Sequence, residues 1–198
     1  MRIALLGMHE LTMSGFDARD WDEVFGLAHD LETPIRCTHA FEAHSREIVE
    51  AHNPAHVDRL RALADMMPLQ TAWEWPDLGR YHSVAPYGHV LYSSWIESSI
   101  AYMMATSIDR DPEVIGIYGV DMAEGEEYGY QRPNMAYLIG VAEGLGIEVI
   151  LHPASRLLDS EWTGGCYGHP ANVNDMEYRL GPRSMAQDVQ DGEVASAP

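Results

Sequence analysis

The sequence predicts a Rossmann-like, three-layer α/β fold with a mostly parallel sheet. Short apolar runs alternate with segments in which apolar residues recur at helical spacing, a pattern typical of strands joined by helical crossovers. The clearest unit spans 114–153, where an apolar run ends in Gly119-Val-Asp121 and is followed by a polar loop, a helical pattern and a second apolar run. In such units ligands bind at the loop after the strand.

The individual elements follow from the same two periodicities. The first strand is the run Ile3 to Leu6, closed by Gly7, and a loop is expected from there to Asp20. The other predicted strands are 22–27, 35–41, a short strand near 71, the run from 114, and 147–151. The predicted helices are 54–67 with Asn53 as cap, a helix from Ser93 or Ser94 to about Ile108, and 133–145.

Length and composition bound the organisation of the chain. With 198 residues, 46% of them hydrophobic, it is long enough for one domain with a substantial core. We expect a single Rossmann-like domain over 1–180. The last residues, 181–198, contain few apolar anchors, which predicts a mobile C-terminal tail.

Charge excludes several classes of function. The formal net charge of −19 opposes the binding of an extended nucleic acid. All 12 basic residues are arginine, so a P-loop lysine, a Schiff-base lysine and a pyridoxal phosphate anchor are excluded. No segment has the length of a membrane span, the N-terminal apolar run is too short for a signal peptide, and Cys37 and Cys166 form no metal or disulfide motif. A cytoplasmic location is expected.

Asp121 is the first candidate site residue, because it follows Gly119 at the carboxyl end of a predicted buried strand. A turn or helix-capping aspartate is the alternative. Near the start of the next predicted helix, hydroxyl, amide and guanidinium groups are expected to bind an anionic group such as a phosphate. These residues are Tyr128, Tyr130, Gln131 and Arg132. Tyrosine packing and surface ion pairs are the alternative reading.

Metal and nucleophile motifs are weak or missing. Glu124, Glu126 and Glu127 offer oxygen ligands for a possible divalent metal ion, with an ordinary solvated loop as the alternative. The ten histidines have no His-Glu-x-x-His spacing, so no metal site is assigned to them. No dinucleotide fingerprint follows the first strand, although Gly7 and Ser14 lie in a loop that could meet a nucleotide with backbone amides and a hydroxyl. An ordinary turn is the alternative. No nucleophile elbow is present.

Several segments resemble a family of tailed-bacteriophage proteins without an established activity. The matching segments are Val24-Phe-Gly-Leu27, Phe41-Glu-Ala-His44, Ile115 to Met122, Glu127 to Pro133 and Tyr137 to Gly140. The resemblance covers most of residues 1–170. It implies a phage-encoded protein that acts in the cytoplasm of the host cell.

The order of elements also resembles, distantly, the Rossmann-like bacterial sialyltransferases and the pterin pyrophosphokinase-like proteins. The resemblance implies that Gly119-Val-Asp121 is a site strand end, that Tyr128 or Tyr130 contacts a phosphate, and that Ser155-Arg-Leu157 is a site turn. Two departures accompany it. The nucleotide-holding asparagine after the second strand is replaced in Gly26-Leu-Ala-His29, which leaves His29 and Asp30 as nucleotide-binding candidates. The catalytic histidine is missing between Asp121 and Ile147, so Asp121, His44 and His152 are the candidate bases.

These residues together predict a transferase that uses a nucleotide-activated donor, most simply a glycosyltransferase with a nucleotide-sugar donor. Two alternatives stay open, a non-catalytic protein that sequesters a nucleotide and a structural or assembly protein. The partners expected are a nucleotide or nucleotide sugar and a possible second copy of the chain.

Overall fold

The described strands form one sheet in which every neighbouring pair is parallel. The computed structural model describes residues 1–28, 37–73, 75, 78, 81–83, 96–122 and 128–158, with the backbone alone at 81–83 and 128. The sheet lies in the unit Met1–Leu157, and a second unit comprises Leu158–Pro198. The predicted domain end at 180 and the predicted tail lie outside the described residues.

The seven strands described here have the spatial order β5-β4-β3-β2-β1-β6-β7. They are β1 (Arg2–Leu6), β2 (Glu23–Leu27), β3 (His39–Glu42), β4 (Leu69–Thr71), β5 (Tyr81–Ser83), β6 (Val114–Tyr118) and β7 (Glu148–Leu151). The predicted α/β fold with a mostly parallel sheet is confirmed. The sequence did not indicate β5.

The helices cover both faces of the sheet. They are α1 (Glu10–Met13), α2 (Arg46–His52), α3 (Ala55–Met66), α4 (Ser99–Asp109) and α5 (Tyr128–Gly144). Ile3 and Leu5 of β1 pack in the core that α4 and α5 cover, whereas Ala4 and Leu6 point to the opposite face. A separate core lies between α3 and the strands β3 and β4. The chain therefore has the predicted three layers.

Three local predictions are wrong. The loop after β1 contains α1 and a 3-10 turn at Ala18–Asp20. The second predicted helix begins later than expected, because α4 starts at Ser99 and Ser98 is its cap. The caps that the sequence suggested, Ser93 and Ser94, lie outside the described residues. The third begins at Tyr128, with Pro133 inside it. Because proline has no N–H, the bond that residue 133 would donate to the Gly129 carbonyl inside this helix is missing.

The loops after β1 and β6 are joined by backbone hydrogen bonds at the point where the order of the strands in the sheet reverses. β1 lies between β2 and β6, so its carboxyl end is the switch point at which open α/β sheets form a crevice. The Gly7 amide donates to the Tyr118 carbonyl at 2.8 Å, and the His9 amide donates to the Gly119 carbonyl at 2.8 Å. In return, the Gly119 amide donates to the Thr12 carbonyl at 3.0 Å.

This close approach requires glycine on both sides. A Cβ atom added to Gly7 would overlap the carbonyl oxygen of Gly119, which is backbone and cannot rotate away. Gly119 has a φ of +68°, and a Cβ atom there would lie 2.7 Å from the carbonyl oxygen of Gly7. Only glycine satisfies both the left-handed backbone and the contact.

Among the described helices, none is both long enough and apolar enough to cross a membrane.

The Gly7 contact leads to a stability prediction. Gly7→Ala should lower the free energy of unfolding by about 1–3 kcal/mol, because the new methyl group forces the two loops apart. Urea unfolding of the variant and the wild type measures the difference. Gly140→Ala is the control, since this exposed α5 position has nothing within 4 Å of an added Cβ and alanine is the better helix former. Equal loss in both variants would contradict the prediction.

Candidate functional site

A crevice of about 640 Å³ lies along the carboxyl ends of the central strands, within the unit Met1–Leu157. It passes the ends of β1, β2, β3, β4 and β6 and the starts of α4 and α5. The lining includes Gly7, Met8 and His9, Leu27, Ala43 and His44, Trp73, residues 96–100 and Tyr102, residues 119–122, Tyr130 and Gln131, and Arg156. This is the size and the position of a small-molecule site in an open α/β sheet.

A buried carboxylate binds two histidines at the end of β3. Glu42, 3% exposed, accepts hydrogen bonds at Oε1 from the His44 backbone amide at 2.8 Å and from His44 Nδ1 at 2.6 Å. Its Oε2 accepts a hydrogen bond from Nε2 of the buried His56 at 2.8 Å. Because a carboxylate can only accept, both of these ring nitrogens carry a proton.

The hydrogen bonds decide the ionisation of Glu42. Burial raises the pKa of this carboxyl, but the bonds from His44 and His56 outweigh burial and lower the pKa from 4.5 to about 2. Glu42 is therefore ionised at neutral pH. It fixes the ring of His44, which lines the crevice, in the form with a proton on Nδ1.

Asp121 forms an ion pair with Arg156 at the other side of the crevice. Asp121 is 6% exposed, and its Oδ1 accepts from the Arg156 backbone amide at 2.7 Å. Its Oδ2 accepts from Nε at 3.1 Å and from Nη2 at 2.7 Å of the same arginine. Burial raises the pKa of Asp121, but the bonds from Arg156 lower it by more, so the net shift of this pKa is downward. An ionised carboxylate thus orients a guanidinium that is 47% exposed.

The start of α4 forms a further wall of the crevice. The hydroxyl of Ser98 caps the helix by accepting from the Ala101 amide at 3.1 Å. The Glu97 amide donates to Asn134 Oδ1 at 3.3 Å, which links this helix start to α5. The first amides of an α-helix carry partial positive charge, which favours an anionic group, whereas the Glu97 carboxylate at the same wall opposes one.

The structure brings six of the predicted site residues to the crevice: Gly7, His44, Gly119, Asp121, Tyr130 and Gln131. The amides of Gly7 and Gly119 donate to backbone carbonyls of the neighbouring loop. The two glycines form part of the crevice wall, and their amides are already bonded within the protein. The functional roles of the six residues stay predictions.

Four other predicted residues lie outside the crevice lining. Ser14 Oγ lies 2.8 Å from Nε2 of His152, while His152 Nδ1 accepts from the Ala154 amide at 3.1 Å. In the neutral ring the proton is then on Nε2, which donates to Ser14, so His152 cannot take the proton of this serine. Ser155 donates to the Val120 carbonyl at 2.7 Å, and Arg132 donates to the Leu157 carbonyl at 3.2 Å.

Some of the predicted site residues lie outside the part of the chain that the structure describes. They are His29, Asp30, the proposed metal ligands Glu124, Glu126 and Glu127, and the side chain of Tyr128. Within the described part of the chain, no group of three or more His, Cys, Asp and Glu side chains is arranged to hold a metal ion.

Sequence reasoning missed much of the crevice. Trp73, His9 and the start of α4 were not singled out, and neither was Glu42 as the partner of His44. Arg156 was named only as the middle residue of the predicted site turn. A signal for Glu42 was available, because a Glu-x-His sequence directly follows a predicted strand. The Asp121–Arg156 pair joins residues 35 positions apart and had no such local signal.

No protein-family model matches the chain, and no curated protein matches it. Two solved structures are similar to it. One is the sialyltransferase CstII from Campylobacter jejuni in complex with a substrate analogue, cytidine-5'-monophosphate, at 13% identity and a TM-score of 0.49, covering 80% of this chain and 82% of that one. The other is thiamine pyrophosphokinase from Bacillus subtilis, at 11% identity and a TM-score of 0.45, covering 75% of this chain and 59% of that one.

These similarities bear out the distant resemblance to a sialyltransferase and a pyrophosphokinase. No residue role follows from them. The resemblance to a phage family gains no support and stays a prediction, as does the cytoplasmic location.

The ionisation of Glu42 leads to a prediction about pH. Its pKa is lowered in the folded state, so its ionised form stabilises the fold above about pH 4.5, and this contribution is lost as the pH falls towards about 2. The shift corresponds to about 3 kcal/mol. The difference in free energy of unfolding between wild type and Glu42→Gln should narrow below about pH 4.5 in urea titrations. Glu50→Gln, at an exposed α2 residue, is the control; a constant difference for Glu42→Gln would contradict the assignment.

Proposed function

We propose that this protein is a transferase that binds a nucleotide sugar in the crevice and transfers the sugar to a hydroxyl group. The observation that carries the proposal is the Glu42–His44 pair, in which a buried ionised carboxylate orients a histidine at the crevice. A base held by a third group is the arrangement expected for activating a hydroxyl nucleophile.

His44 supports the role of general base through its tautomer. Glu42 holds the proton on Nδ1, so Nε2 of the neutral ring is the basic nitrogen. Glu42 also stabilises the imidazolium that forms when His44 accepts a proton. Of the three candidate bases, Asp121 is bound to Arg156 and His152 lies outside the crevice lining. His44 is thus the candidate best suited to accept a proton there.

Arg156 and the start of α4 suit the phosphates of the donor. Arg156 lines the crevice, and its guanidinium is 47% exposed while the Asp121 carboxylate holds it. Asp121 restricts its rotation, so less conformational entropy is lost when it binds a phosphate. The α4 start supports the same charge.

The spacing of the strands suits a sugar donor. β3 and β6 are three strand spacings apart, about 14 Å. His44 follows β3, and Asp121 holds Arg156 just after β6, so the separation is on the scale of a sugar and its phosphate. In the proposed step, His44 takes the proton of the acceptor hydroxyl, its oxygen bonds to the anomeric carbon, and the bond from that carbon to the phosphate oxygen breaks. The nucleotide departs with the bonding electrons, and Arg156 stabilises its charge.

One observation favours a second candidate, a protein that sequesters nucleotides without catalysis. The carboxylate at the switch point, Asp121, uses both oxygens to hold Arg156. This side of the crevice therefore suits the binding of a nucleotide phosphate without requiring a catalytic step.

Binding should depend on Arg156. Arg156→Ala should weaken the binding of nucleoside monophosphates by about tenfold or more, since a charge-assisted hydrogen bond contributes about 1.5–3 kcal/mol. Calorimetric titration with CMP, UMP, AMP and GMP measures the change, and thermal unfolding checks that the variant folds. Arg61→Ala, at a surface arginine of α3, is the control. Unchanged affinity in Arg156→Ala would remove this residue from the site.

Turnover should depend on His44. His44→Gln should lower the release of nucleotide from CMP-, UDP- or GDP-linked sugars by about 100-fold or more, the typical contribution of a general base, while the Kd for the free nucleotide stays unchanged. Chromatography of the released nucleotide is the measurement, and His52→Gln, at the end of α2, is the control. If wild type binds nucleotides but releases none from any donor, with or without added acceptor sugars, the sequestering function is supported.

A further inference from the structure

Trp73 presents an exposed aromatic ring to the crevice. It follows β4 and is 56% exposed, although tryptophan is among the most strongly buried side chains on average. A ring of this size that lines a cavity and contacts solvent offers a flat surface for a ligand.

The backbone at Trp73 is anchored to the Glu42–His44 pair. The buried Thr71 hydroxyl donates to the Trp73 carbonyl at 2.8 Å. The Ala72 amide donates to the Glu42 carbonyl at 3.1 Å, while the Glu42 side chain orients His44. One residue of β3 therefore positions both the candidate base and the segment that carries the indole.

The surroundings of Trp73 differ from those of Arg156. Trp73 and Ala43 lie at the ends of β4 and β3, which are one strand spacing apart, about 5 Å. β4 lies four spacings from β6, about 19 Å from the end of the sheet that holds Asp121 and Arg156. The crevice thus has an ion pair at one end and an exposed aromatic ring beside a histidine at the other.

We infer that the β4 end of the crevice binds the acceptor, and that the acceptor is a saccharide whose ring stacks on Trp73. A pyranose ring has C–H groups on its face, which pack on an aromatic ring, and hydroxyls around its rim, one of which can reach His44. A phosphate has no favourable partner in the indole face, whereas the Arg156 guanidinium at the other end can bind one, so the donor phosphate occupies that end. This inference rests on the proposed function and specifies its acceptor.

Saturation-transfer NMR with methyl glycosides of glucose, galactose and mannose tests the inference, because these probes contain no nucleotide. Wild type should transfer saturation to the ring protons of at least one glycoside. Trp73→Ala should raise the Kd for that glycoside by about tenfold, the loss expected for one stacking contact. Trp73→Phe should keep most of the affinity. Met66→Ala, at an exposed apolar residue outside the crevice lining, should behave as wild type.

Cytidine and uridine are the second set of probes, and CMP binding is measured on the same variants. If no glycoside binds wild type, or if Trp73→Ala binds the glycoside as wild type does, the inference is wrong. It is also wrong if Trp73→Ala weakens the binding of the nucleosides and of CMP, because the indole then stacks on the base. If wild type does not bind CMP at all, the proposed function is contradicted instead. Unchanged CMP binding with weakened glycoside binding supports both.

Discussion

The contact between Gly7 and Gly119 is the constraint on which the crevice depends. Two loops from neighbouring strands, β1 and β6, exchange backbone hydrogen bonds at the switch point of the sheet. Because neither position has room for a Cβ atom, the loops meet at backbone distance and their amides are satisfied without side chains. Asp121 follows directly from one of these loops. Its position, and with it that of Arg156, is therefore set by a backbone contact.

A second junction lies at the end of β3. Glu42 is buried, and its carboxylate accepts bonds from His44 and His56 while its carbonyl accepts from Ala72. A buried carboxylate is stable only when its oxygens are satisfied, and the three donors to Glu42 belong to the loop after β3, to α3 and to the segment after β4. One residue thus fixes the candidate base, α3 and the start of the Trp73 segment relative to one another.

The charge of the crevice differs from that of the chain. The net charge of −19 belongs to the whole sequence, whereas the described lining has two carboxylates, one guanidinium and two imidazoles. One of these carboxylates, Asp121, is neutralised by Arg156. The other carboxylate, Glu97, is the negative charge that an anionic ligand meets in the crevice, whereas more distant charges are screened over about 10 Å at about 0.1 M salt.

The alternation of apolar runs and helical patterns is enough to predict the parallel α/β fold, since it reflects burial on both faces of a sheet. The sequence also indicated Asp121 and Gly119, because they follow a predicted buried strand, and it indicated His44 as a substitute for a base that the resemblance implies but this chain lacks. The partners of these residues follow from the tertiary structure. Arg156 reaches Asp121, and Trp73 lies one strand spacing from His44, because of the order of the strands in the sheet. That order depends on long-range packing, which no local pattern encodes.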